Sequence, residues 1–124
     1  MCGRYALFSW PAALERMLAR VCDAGVDMLH ASTRRFWMPA FAGSDLTLAG
    51  WTRRLTGRPT TMVGNVGLKT ADLTGDGPGS LRSVERLLAA GECDLVAVGR
   101  PLLGDAGWPT KVRDGRFAEI REHG

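Results

Sequence analysis

Three cysteines, two histidines and one tyrosine are all that the 124 residues carry of three reactive side-chain types. Cys2, Cys22 and Cys93 are odd in number and far apart, with no Cys-x-x-Cys pair. That excludes a disulfide framework and a thiolate metal site, and it suits the reduced thiols of a cytoplasmic protein. Long hydrophobic runs are also missing. Nothing approaches the roughly 18–20 apolar residues that span a bilayer, so no membrane partner is expected. The opening "MCGRYALFSW" has one arginine and lacks the apolar core of a secretion signal. Charge of one sign is scarce too. The net value is +3, and the arginines are scattered rather than gathered in a block. Such a field keeps a protein solvated without gripping a polyanion, so nucleic acid is not an expected partner.

What is present is a globular composition, 45% hydrophobic and 23% charged, in a chain long enough for one modest domain. One pattern occurs three times. In "PAALERMLARVCDAG", Leu14, Met17, Leu18 and Val21 fall on one helical face, Pro11 suits a first turn and Gly25 a C-cap. "VDMLHAS", residues 26–32, then reads as a strand. The second copy predicts a helix capped by Ser44, with Leu48, Trp51, Thr52 and Leu55 on one face and Gly57 at its end, then a strand through residues 60–63. The third predicts a helix capped by Ser80, with Leu81, Val84, Leu87 and Leu88 as its stripe and Gly91 at its end. The strand "CDLVAVG" follows, apolar on both faces from Leu95 to Val98.

The closing glycines recur at about the length of a βαβ unit, ~30 residues. Strands without alternation are buried on both faces, as in parallel sheets covered by helices. A (β/α)8 barrel of about 250 residues has this period, and the open doubly wound sheet shares it. Three strands cannot close a barrel, and they leave both edges unpaired. The chain therefore reads as part of a larger α/β protein, with residues 118–124 as a polar tail. The open inner face, including residues among Val63, Leu95 and Ala97, is expected to promote self-association.

In parallel α/β folds, chemistry sits at the carboxyl ends of the strands. Those ends read "HASTRRFW", "GNVGLKT" and "GRPLLGD". Two are glycine-rich, and glycine lets backbone amides approach an anion. Barrel phosphate sites lie after strands seven and eight, beside a short extra helix. On that pattern Gly64, Asn65 and Val66 supply amides. Gly99 supplies another, Arg100 a guanidinium suited to bidentate phosphate contacts, and "GDAGWPTKV" the short helix. The competing reading is that these glycines only permit tight turns.

The combination "RFWMPAF…GSDLTLAGW…VGNVGL…DLVAVGRPLL…W" resembles the C-terminal part of the Old Yellow Enzyme family, the NADH:flavin oxidoreductases. The resemblance covers residues 11–117. It implies a partial TIM barrel, its last three strands, six to eight, with their helices. It also implies FMN as cofactor, with NAD(P)H as reductant in the intact enzymes and an activated alkene or similar small molecule as acceptor. The positions matching the family's phosphate-holding loops are Gly64 and Asn65, then Gly99 and Arg100. The histidine-containing pair that binds the substrate carbonyl in that family, and its tyrosine proton donor, have no matching residues here. His30 lies in the first strand of this chain and reads as structural, and Tyr5 precedes the matched region. Met38 and Ala40 stand where the family pattern often has acidic residues, which changes the rim of its substrate pocket.

Residues 1–10 stay unassigned. "MCGRYAL" is similar to the start of the SOS-response-associated peptidases, whose N-terminal cysteine attacks abasic DNA. That resemblance implies Cys2 as a nucleophile, but no later motif of that family follows, and a truncated reading frame is the simpler account. A non-catalytic module retaining a phosphate site is the other alternative. Trp37, Trp51 and Trp108 read as packing anchors. Arg34 and Arg35 read equally as ligand contacts or as a solvated pair, and residues 70–80 as a flexible loop.

Overall fold

The computed structural model describes residues 10–124, the side chain of Trp10 excepted. Cys2 and Tyr5 lie outside the described residues. The elements run α1 (Trp10–Asp23), β1 (Leu29–Ser32), α2 (Leu48–Thr56), β2 (Thr60–Val63), α3 (Thr70–Thr74), α4 (Leu81–Ala89), β3 (Leu95–Val96), α5 (Arg100–Gly104), α6 (Trp108–Arg113) and a 3-10 turn, Phe117–Glu119. The three strands form one parallel sheet in chain order, β1-β2-β3. This is a mixed α/β fold, as the threefold helix–strand pattern predicts.

The register sets two faces. Leu29, Ala31, Thr60, Met62 and Val96 line one, in the pairs Leu29 with Thr60, Ala31 with Met62 and Met62 with Val96. There the core gathers Ala31, Met62, Phe36, Ala49, Val84 and Trp108. On the other face His30 and Ser32 are exposed and Leu95 is 53% exposed. The expectation that "LVAV" is buried on both faces is therefore corrected at Leu95, although its partner Thr61 on the same face is buried beside Met28. Helix α2 packs on β1 and β2, and α1 packs on α2.

Helix ends are fixed by named side chains. Thr47, not Ser44, is the N-cap of α2, and its hydroxyl accepts from the Gly50 amide at 3.1 Å. Ser44 instead accepts from the Leu46 amide, closing the turn before the helix. Glu92 Oε1 accepts from both the amide and the hydroxyl of Thr47, each at 3.1 Å. This sets a carboxylate at the positive end of the helix. A Cβ at Gly50 would stand 2.6 Å from that oxygen, so a larger residue there would push the carboxylate off the helix end. Ser80 caps α4 as predicted, accepting from the Ser83 amide. Gly25, Gly57 and Gly91 all take positive φ after their helices, the backbone reversal that L residues resist.

Other boundaries differ from the sequence expectation. Strand β1 starts at Leu29 because pairing begins where its amide meets the Pro59 carbonyl. The Val26 carbonyl is taken by Arg58 Nη1 at 2.6 Å, and Met28 is 48% exposed. Residues 70–80 are not a featureless loop. They open with α3, which buries Leu73, and α3 packs on α4. On α1, Leu18 is buried but Met17 is 53% exposed, since the wall that the stripe predicts opposite Met17 is a cavity.

Asp94 joins β3 to the rest of the sheet. Arg53 Nε lies 3.1 and 2.9 Å from its two oxygens, and the Thr60 amide donates to Oδ2 at 2.9 Å. The Arg53 hydrogen bond, then the Thr60 amide, hold this carboxyl below its ordinary range. A second clasp closes the C-terminus. Asp105, buried to 2% exposure, accepts from Lys111 Nζ at 2.7 Å and from the amides of Arg121 and Gly107 at 3.0 and 2.9 Å. Lys111, followed by the Arg121 amide, draws the Asp105 pKa down from 3.8 to about 2. Residues 118–124 are accordingly tied down. Ile120 packs on the core, and Glu122 accepts from the Thr70 amide.

Because the folded value for Asp105 lies below the unfolded one, its contribution to stability is complete above about pH 4 and is lost as pH falls through about 2. Asp105→Asn is expected to lower the melting temperature clearly at pH 6. The gap to wild type should narrow between pH 4 and pH 2 in thermal melts followed by circular dichroism. A gap independent of pH would refute the clasp.

Candidate functional site

The expected site residues fall on two turns, both at the carboxyl ends of adjacent parallel strands. Gly64, Asn65 and Val66 follow β2, while Gly99 and Arg100 follow β3. β2 pairs with β3 through Thr61–Leu95 and Met62–Val96, and the Ala97 amide continues the ladder to the Met62 carbonyl at 2.8 Å. The two turns therefore leave the sheet side by side. Arg100 Nη2 donates to Asn65 Oδ1 at 3.2 Å, which joins them.

The five residues do different things. Asn65 has φ 60, the only positive φ of a non-glycine among the described residues. Asparagine tolerates that conformation better than most L residues. Gly64 is held from the other side, where its carbonyl accepts from the Phe36 amide at 3.1 Å. A Cβ on it would lie 2.6 Å from the Thr33 hydroxyl and 2.8 Å from the Phe36 nitrogen. Gly64 is thus glycine because a neighbouring loop presses on it, and that is a packing reason. Val66 points its side chain into the core. Gly99 has open space where a Cβ would stand. Its backbone, φ −106 and ψ −87, turns the chain from β3 into α5, which starts at Arg100.

The amides of Asn65, Val66, Gly67, Gly99 and Arg100 donate to no group among the described residues. Arg100 is exposed and spends one N–H on Asn65, leaving the rest of a five-donor fork. Unpartnered backbone amides and a guanidinium are the kinds of donor that can bind an anion. The short helix read from "GDAGWPTKV" is α6, and it braces this surface from below. Trp108 lies so close to Gly67 that a Cβ there would stand 2.5 Å from its ring. A cavity of about 320 Å3 opens beside Asn65, between Trp37 and residues 71–80. Its lining includes Asp72.

Apolar periodicity could not announce the Asp105 clasp, which depends on an isolated acidic residue, nor the seating of Trp108 on Gly67. The "GLK…W" separation carries no period. His30 stands exposed on the open face of β1, apart from both turns. Among the described residues no cluster of His, Cys, Asp or Glu could hold a metal ion, and no helix is long and apolar enough to cross a membrane. Cys93 is buried at the base of β3. Burial, then the nearby Asp94 and Glu92 carboxylates, push its thiol pKa up, away from nucleophilic use.

No protein-family profile matches the chain. It is similar to a curated protein, the NADH oxidase of Thermoanaerobacter brockii, at 34% identity over 104 residues. The match takes in 81% of this chain and 15% of the relative, so the chain spans about one-seventh of that protein's length.

The strained position at Asn65 is open to direct test. Asn65→Gly should keep full stability, whereas Asn65→Ala should lose about 1–2 kcal/mol, because alanine pays for the left-handed backbone and drops the Arg100 contact. Urea denaturation measures both. Equal loss in the two variants would mean that the Arg100 contact, and not the backbone, sets the cost.

Proposed function

We propose that this chain is the phosphate-anchoring part of a flavin-dependent NAD(P)H oxidoreductase of the Old Yellow Enzyme type, with FMN as the flavin. The observation that carries the reading is the meeting of Asn65 and Arg100 at the ends of two adjacent parallel strands, 3.2 Å apart and among unpaired amides. The similarity to an NADH oxidase supports the reaction class.

The residues present fit one end of the cofactor. The Arg100 guanidinium and the amides at 65–67 and 99–100 suit a phosphate dianion, and Asn65 holds the guanidinium in place. When bound, the flavin would supply hydride transfer from NAD(P)H to a small-molecule acceptor such as an activated alkene. Contacts to its ring system fall to the part of the relative that this chain does not span. On this reading the sheet is a sector of a (β/α)8 barrel, strands six to eight. The exposed Leu95 faces the barrel interior, and the outer edges of β1 and β3 receive the remaining strands.

Flavin fluorescence tests the anchor. FMN should bind more tightly than riboflavin, which lacks the phosphate. Arg100→Ala should weaken FMN about tenfold or more, the cost of one charge-assisted contact of roughly 1.5–3 kcal/mol, and leave riboflavin unchanged. Equal losses for both ligands would make Arg100 a support of the fold and sink the phosphate reading.

A further inference from the structure

A second cavity shares no lining residue with the one beside Asn65 and includes neither Asn65 nor Arg100. It encloses about 750 Å3 between α1, the segment after β1 and the start of α2, within the 300–1,000 Å3 range of small-molecule sites. Leu14 and Met17 on α1 form one wall, Met38 and Phe41 another, and Leu48 closes the end at α2. Met17 is 53% and Met38 47% exposed. That apolar surface would leave water when a ligand binds.

Among the described residues the charged groups of the lining are Arg34 and Arg35, with no carboxylate beside them in it. Both arginines are exposed, and neither forms an ion pair or a side-chain hydrogen bond among the described residues. Arg53, Arg82, Arg113 and Arg116, by contrast, all meet carboxylates. The segment bearing the pair is fixed at both ends. The amide and hydroxyl of Thr33 both donate to the Val63 carbonyl, at 3.0 and 2.9 Å, and the Phe36 amide donates to Gly64. Further on, Pro39 bridges to Thr47, and Phe41 meets Trp51 edge-to-face at 5.6 Å. The cations are thus carried on an anchored rim above an apolar pocket.

We propose that this cavity binds a small amphipathic anion, a monocarboxylate with an aromatic or medium-chain aliphatic body. The body lies between α1 and Phe41, and the carboxylate meets Arg34 and Arg35. The lining offers few polar groups for a sugar, which disfavours a nucleotide, and a neutral apolar ligand would leave both guanidinium groups without a counter-charge. Binding makes and breaks no covalent bond, and none of the lining residues belongs to the Asn65 and Arg100 turns.

Octanoate and 1-octanol share a body and differ in charge, so displacement of the fluorescent anion anilinonaphthalene sulfonate by each, from the full chain, tests the proposal. Octanoate should displace the probe at about tenfold lower concentration than octanol. The double substitution Arg34→Ala, Arg35→Ala should erase that preference and leave octanol unchanged. Met17→Glu, at an exposed position, should abolish octanoate binding without moving the melting temperature or the FMN titration. Equal displacement by the two ligands, no displacement by octanoate at millimolar concentration, or indifference to Met17→Glu would overturn the proposal.

Discussion

Everything else in this protein hangs on the central strand. Among the described residues, Thr60–Val63 is the strand with a neighbour on both edges. Thr60 and Met62 are 0% and 1% exposed, so hydrogen bonding and apolar burial converge on the same four residues. Neighbouring parts are positioned from its backbone. Asp94 is held by the Thr60 amide, the segment after β1 by the Val63 carbonyl, and the Ala97 end of β3 by the Met62 carbonyl. A parallel strand gains its partners only through crossovers a dozen or more residues long. The helices between the strands are therefore part of how β2 is held, and not a separate layer added to it.

The polar network follows one rule at several places: a carboxylate collects the amides that helices and turns leave over. Glu92 does so for Thr47 at the head of α2, Asp94 for Thr60, Asp105 for Gly107 and Arg121, and Glu122 for Thr70 at the head of α3. The amides of the two strand-end turns, at 65–67 and 99–100, break this rule. Among the described residues they meet no carboxylate, and Arg100 stands beside Asn65. Arg34 and Arg35 repeat the departure on a smaller scale beside the apolar cavity.

Local pattern was enough for the element types and for part of the site. The stripe of α4 with its Ser80 cap, strand 60–63, and the glycines that end three helices all depend on interactions within a few residues, which the sequence records directly. The placing of Asn65 and Arg100 on consecutive strand ends was legible for the same reason, since each lies just past a readable strand. The lengths of β1 and β3 were not. They depend on where a partner's carbonyl is free, and the Val26 carbonyl is lost to Arg58.

By itself, then, the sequence determined a parallel α/β arrangement of three units and the two turns that leave its strand ends, because helical stripes, caps and left-handed glycines are local. Only the tertiary structure decided which glycines serve packing. Gly64 yields to the loop at Thr33 and Phe36, Gly50 to the Glu92 carboxylate, and Gly67 to Trp108, whereas Gly99 has open space around it. It also decided that Leu95 is exposed, that Asp105 fastens the C-terminal residues, and that Arg34 and Arg35, without a partner among the described residues, stand over a cavity. The physical reason is distance along the chain. Each of these contacts joins residues that sequence periodicity does not relate, and only the closure of β2 between its neighbours brings their elements together.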